Sequence, residues 1–176
     1  ILYSFYKCDL WLDALEMIAA SEINKSEKKL VYTVGTFDLL HVGHLALLKY
    51  CSTLGDVAVG VASDSVVNTY KPNVPIILLE HRIEMLRALS CVSIVRPYYE
   101  LEYVSACKEL NPDIFIIGED WGRDKHNIDV ENYLNSRGKE IIKVRYNPQT
   151  SSTKIKQTVI AQFEESDHYY EPILQT

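Results

Sequence analysis

Five short apolar runs rich in β-branched residues, separated by stretches with helical spacing, constrain this chain more than any other feature of it. The first, Leu30 to Thr36 (LVYTVGT), reaches a glycine near its end, as a buried strand of a parallel sheet does. Asp56 to Ala62, Val92 to Val95, Asp113 to Gly118 and Glu140 to Tyr146 repeat the pattern. Between them, His44 to Leu54, Glu80 to Leu89, Leu101 to Leu110 and Val130 to Ser136 carry apolar residues at helical intervals. Strands that alternate with helices are joined by crossovers and covered on both faces. The expected fold is α/β: a Rossmann-like doubly wound parallel sheet of about five strands. Asn111-Pro112-Asp113 reads as a turn into a strand, and Gly138 as the residue just past a helix end.

Two segments lie outside this alternation. Asp9 to Ala20 (DLWLDALEMIAA) has the pattern of an amphipathic helix and is followed by a polar linker, so residues 1–29 are expected to add an N-terminal helix that covers one edge of the domain. Residues 30–163 form the domain proper, and 164–176 an acidic, loosely held tail. The chain starts at Ile1 rather than Met, which fits a processed chain or part of a longer one.

Composition excludes several classes. With 47% hydrophobic and 24% charged residues among 176, the chain has the material for one folded core and none of the bias of disordered or fibrous proteins. A net charge of -6 argues against a broad basic surface for nucleic acid or anionic lipid. Glu164, Glu165, Asp167 and Glu171, with no basic residue after Lys156, account for four of those charges, so the domain itself is nearly neutral and has room for a local cationic pocket. Cys8, Cys51, Cys91 and Cys107 are far apart and show no zinc spacing, which reads as reduced thiols. No apolar run approaches the roughly 20 residues that span a bilayer, so no membrane insertion and a cytoplasmic location are expected.

The residues with the most chemistry are Gly35-Thr36-Phe37-Asp38-Leu39-Leu40-His41-Val42-Gly43-His44, at the junction of the first strand and the first helix. In doubly wound folds the ligand crevice lies at the carboxyl ends of the strands, where this segment falls. Gly35 allows the turn, and Gly43 keeps the helix start open so that its free N–H groups and positive dipole end can face a phosphate. His41 and His44 are three residues apart and suited to donate to charge building on a phosphorus centre. A His-x-x-His pair can also bind metal, but zinc normally takes a third protein ligand, and no other histidine has an evident claim to that place.

The segment GTFDLLHVGH resembles the His-x-Gly-His signature of the cytidylyltransferases in the nucleotidyltransferase superfamily, with most similarity to the bacterial glycerol-3-phosphate cytidylyltransferases. Glu80-His81-Arg82, Gly118-Glu119-Asp120-Trp121 and Ser151-Ser152-Thr153-Lys154-Ile155-Lys156 resemble later motifs of that family, in the family's order, over about residues 30–160. The resemblance implies in-line transfer of CMP from magnesium-bound CTP to a phospho-alcohol, glycerol 3-phosphate first, with pyrophosphate released and a homodimer as the assembly. It implies that His41 and His44 contact the triphosphate, that Asp38 lies in the nucleotide and magnesium region, and that Lys71 bridges the phosphates of the two substrates. It places Thr36, Phe37, Gly118, Asp120 and Arg145 around the nucleotide, with Ser151, Ser152 and Thr153 at the β- and γ-phosphates. Arg82, at a helix start, needs an anion, which a substrate phosphate or a surface ion pair with Glu84 or Glu80 would supply. Trp121 would meet a substrate, or serve as a hydrophobic cover.

The chain departs from the family at Ser90, where an arginine is usual, at Asn73, where a second lysine is usual, and in the loop Tyr146 to Thr150. Arg87 and Arg96 are the nearest cations to the first gap, at unmatched positions. These losses bear on the acceptor more than on CTP and leave open phosphoethanolamine, phosphocholine or another polyol phosphate. Adenylyl transfer of the FAD-synthetase kind is the other enzymatic reading, and an inactive nucleotide-binding scaffold the non-enzymatic one.

Overall fold

The computed structural model describes residues 28–70, 74–145 and 150–170. Its order is β1 (Leu30–Gly35), α1 (Val42–Leu54), β2 (Asp56–Ala62), α2 (Asp64–Tyr70), α3 (Leu79–Arg87), β3 (Ile94–Tyr98), α4 (Val104–Leu110), β4 (Ile114–Gly118), α5 (Lys125–Ser136), β5 (Glu140–Val144) and α6 (Ser152–Tyr170). The five strands are parallel and lie in the order β3-β2-β1-β4-β5. This is the doubly wound α/β architecture that the alternation implies. The N-terminal helix expected at 9–20 lies outside the described residues. Among those residues no helix is long and apolar enough to cross a membrane.

Alternate residues of each strand point to opposite faces, which builds two core layers. Val31, Val57, Val59, Val61, Ile114 and Ile116 face one way and pack on Leu48 and Cys51 of α1 and Leu86 of α3. Tyr32, Ala58, Phe115 and Ile117 face the other and pack on Cys107 of α4 and Val130 and Leu134 of α5. Ile116 is fully buried at the sheet centre, where truncation to alanine costs about 2–5 kcal/mol.

Where boundaries differ from the sequence pattern, local physics explains the shift. β3 runs to Tyr98, through Pro97, because an edge strand tolerates a residue with no N–H to donate. α2 has only seven residues, too few for a periodic signature, and starts where the Ser63 hydroxyl accepts from the Val66 amide (3.3 Å). α6 runs from Ser152 to Tyr170, so residues 164–170 of the expected tail are helical. The two expected punctuation residues sit as anticipated: Asn111 is left-handed (φ 47°) at the end of α4, and Gly138 (φ 65°) follows α5.

The strand order fixes where a site can form. From β1 the chain winds out to β2 and β3, then crosses back to β4 on the other side of β1. The crevice between the carboxyl ends of β1 and β4 is therefore the topological switch point.

Candidate functional site

A cavity of about 770 Å³ opens at that switch point. Gly35 ends β1 at its floor and Gly118 ends β4 beside it, with Asp120 just beyond. One wall is the first turn of α1, with His41, Gly43 and His44; another is the start of α6, with Ser151, Ser152 and Thr153. Two helix N-termini thus meet one cavity. The positive dipole ends of the two helices make it favourable to anions.

The connection from β1 to α1 is strained. Phe37 (φ 53°) and Leu39 (φ 48°) are both left-handed, a conformation that costs a bulky residue on the order of 1–3 kcal/mol. It is held from several sides. The Phe37 ring is buried, lies so close over Gly35 that a Cβ there would stand 3.1 Å from Cε2, and sits 5.2 Å from the His44 ring. Between the two left-handed residues, Asp38 turns inward and is 4% exposed.

Asp38 is a junction. Its Oδ1 accepts from the amides of Ile76 (3.1 Å) and Ile77 (3.0 Å), its Oδ2 pairs with Lys156 Nζ at 2.9 Å, and its carbonyl accepts from Ser152 Oγ at 2.6 Å. Burial alone would raise the carboxyl; the Ile77 amide, Lys156 and the Ile76 amide together outweigh it and hold the group below the ordinary 3.8. With both oxygens engaged, the carboxylate does not fit the expected role of magnesium ligand. Among the described residues no group of three His, Cys, Asp or Glu is placed to hold a metal.

His41 caps α1. Its Nδ1 accepts from the Gly43 amide at 3.1 Å, so the proton of the neutral ring sits on Nε2. Burial holds its pKa below the ordinary 6.5. The His44 ring stacks on it with centroids 3.9 Å apart. The glycine between them is required for a reason the motif did not disclose: a Cβ at Gly43 would stand 2.9 Å from Cε1 of the capping ring. α6 is capped in the same way, Ser151 Oγ accepting from the Lys154 amide at 3.2 Å.

Of the other expected residues, Thr36 lines the cavity, and so does Arg145, which is exposed and 3.4 Å from Glu119. Lys71 lies outside the described residues, as does Asn73. Two residues are not among those that line the cavity. Arg82 does not face the cavity; it is fully buried and donates to the carbonyls of Ile77, Ala62 and Thr36, with Asp64 as its ion-pair partner. The anion it needs is a protein carboxylate, and the role left to it is to tie the carboxyl ends of β1 and β2 to α2 and α3. Trp121 also lies away from the cavity, its ring packed 5.4 Å from Tyr103 and 5.9 Å from Phe115, which is the cover rather than the contact. Arg87 pairs with Glu84 and Arg96 with Glu109, both at the exposed surface.

The sequence reading missed an apolar wall. Ala46, Leu47 and Tyr50 of α1 line the cavity together with Val144, and Tyr50 is 42% exposed. They continue the face that Gly43 starts, at helical spacing, which is the signal that would have found them.

Residues 32–158 match the family model described as Cytidylyltransferase-like. The chain belongs to the cytidylyltransferase-like family. FAD synthase of Thermococcus sibiricus is 34% identical over 146 residues, which cover 80% of this chain and 99% of that one. Bifunctional protein HldE of Sulfurimonas denitrificans is 38% identical over 99 residues, 55% of this chain. The match spans only 21% of the HldE protein. Among solved structures, a lipopolysaccharide core biosynthesis protein from Thermoplasma volcanium superposes with a TM-score of 0.57 at 28% identity, over 68% of this chain and 97% of that one. The likeness to these relatives agrees with the cytidylyltransferase-like fold described above.

Proposed function

We propose that this member of the family transfers CMP from CTP to a small phospho-alcohol, with glycerol 3-phosphate the first acceptor to test. The observation that carries the transfer chemistry is the meeting of two capped helix N-termini and a stacked histidine pair at the switch-point cavity. An oxygen of the acceptor phosphate attacks the α-phosphorus; the bond to the bridging oxygen breaks, and its electron pair leaves on pyrophosphate. No covalent enzyme intermediate is required. The protein's part is alignment and charge stabilisation.

In this reading the His41 Nε2–H, directed by the cap on Nδ1, and the His44 ring donate to the α-phosphate as it becomes five-coordinate. The amides of Ser151, Ser152 and Thr153 and the hydroxyls of Ser151 and Thr153 take the outer phosphates, and exposed Arg145 adds a cation. Lys71 keeps the bridging role the resemblance gives it. Magnesium would arrive on the triphosphate, since such an ion binds largely through substrate phosphates and water. Asp120, a cavity carboxylate outside the Asp38 junction, is the side chain suited to it.

Support for CTP comes from the Gly118-Glu119-Asp120-Trp121 and Ser151 to Lys156 motifs. A second reading, adenylyl transfer from ATP, is favoured by the likeness to a FAD synthase over nearly that protein's full length. Pyrophosphate release is to be measured with magnesium, either CTP or ATP, and a panel of phosphate monoesters that includes glycerol 3-phosphate, phosphocholine, phosphoethanolamine and FMN. Release with CTP and a phospho-alcohol is expected. Release with ATP alone would replace the first reading by the second, and none with either nucleotide would overturn both.

A further inference from the structure

α6 presents Ser152 and Lys156, four residues apart, on one face. Both close on Asp38, the serine on its carbonyl and the lysine on its carboxylate. Lys156 Nζ also donates to the Val74 carbonyl at 3.2 Å, and the same carboxylate takes the Ile76 and Ile77 amides. Three segments far apart in sequence therefore meet at one ion pair: the β1–α1 connection, residues 74–77, and the first two turns of α6. The pair is well covered, its side chains 19% and 5% exposed.

Apart from the Arg82 Nε bond to the Ile77 carbonyl, residues 74–77 have little else to hold them by burial. Val74 and Ile76 turn their side chains outward, 62% and 61% exposed, so backbone hydrogen bonds supply the hold. Segments anchored this way open locally at low cost when the anchor is removed. We propose that Lys156 is a positioning residue, a latch that with Asp38 fixes residues 74–77 and the start of α6 in register with His41 and His44. Its purpose rests on the nucleotidyl-transfer reading; its existence does not. Lys156 touches no substrate. It acts through Asp38, and displacing reacting groups by about 1 Å costs on the order of a hundredfold in rate.

The test joins amide hydrogen exchange to kinetics on the full chain, for Lys156→Met, Lys156→Gln, Lys156→Arg, Asp38→Asn and the Asp38→Asn/Lys156→Met double variant. Exchange across 74–77 and the first turns of α6 is expected to quicken by about tenfold or more in the methionine and glutamine variants while the sheet stays protected. Turnover should fall by about ten- to a hundredfold, with the acceptor KM rising. Arginine should restore much of both, and the double variant should be no slower than Asp38→Asn alone. Unchanged exchange at these segments overturns the latch. Quickened exchange with kcat and KM within twofold overturns its role in positioning, as does a double variant whose losses multiply. A wild-type chain that transfers no nucleotide ends the functional reading, while the exchange result still decides the latch.

Discussion

His41 does two things with its two ring nitrogens, and they can be separated. Nδ1 caps α1 by accepting from the Gly43 amide at 3.1 Å, whereas Nε2 carries the proton proposed to meet the α-phosphate. Asparagine places Oδ1 the same number of bonds from the backbone as Nδ1 and has no counterpart of Nε2. His41→Ala should therefore lose both, and His41→Asn only the second. A lost cap costs about 1 kcal/mol, which for a chain of this size lowers the melting temperature by about 2–4 °C. A lost transition-state donor costs about 10²- to 10³-fold in turnover. Thermal melts and pyrophosphate release on the two variants give the comparison: alanine low in both, asparagine near wild type in melting and as slow as alanine in turnover. An asparagine variant that turns over normally would refute the assignment of Nε2 as donor. An alanine variant with unchanged melting would refute the cap.

Arg82→Met should lower the melting temperature by roughly 6–12 °C, from about 3 kcal/mol lost when three carbonyls and a half-exposed carboxylate lose their donor. Arg82→Lys should recover little, because one ammonium does not span that set; an unchanged melt with a raised acceptor KM would show instead that Arg82 serves the substrate. Trp121→Phe should leave both substrate KM values within about twofold, since the ring packs on Tyr103 and Phe115 outside the cavity. Acid should destabilise the fold in two stages, read by melts across pH. Below about 6.5 the unfolded chain binds a proton that folded His41 resists, so stability falls until the folded pKa is passed. Asp38, held below 3.8, stabilises the fold above that value and loses its contribution as pH falls through its lower folded pKa, a stage Asp38→Asn should abolish. The homodimer implied by resemblance predicts a solution mass of roughly twice 20.2 kDa by sedimentation.

What could be read from the sequence was what a short window records. Buried parallel strands are nearly continuous apolar runs, so β1, β2, β4 and β5 stood out, and β3 was misplaced because Arg96 and Pro97 broke its run. His41, Gly43 and His44 were legible because a strand-turn-helix junction is a local signal, and Ser151 to Thr153 because they resemble a short family motif. Asp64 as the partner of Arg82, and Lys156 as that of Asp38, were not legible. Each pair joins residues that only the sheet brings together, 18 and 118 positions apart. A charged residue in a motif announces that it needs a partner. It does not say whether that partner is a substrate or the protein.

The strand order has a consequence for how the cavity comes into being. β1 pairs with β2, which follows at once, and with β4, just before which Asp113 accepts from the Leu30 amide across 83 residues. The crevice is thus the seam between a first half, through β3, and a second, from β4 onward, with the stacked histidines on one side and the α6 cradle on the other. On a ribosome the first half emerges with its histidines in place but no cradle opposite them, and local pairing outpaces the closing of so long a loop. Binding competence should therefore be the last property the chain acquires. A ligand that bridges the seam would act as a staple between two parts of the sheet that meet late.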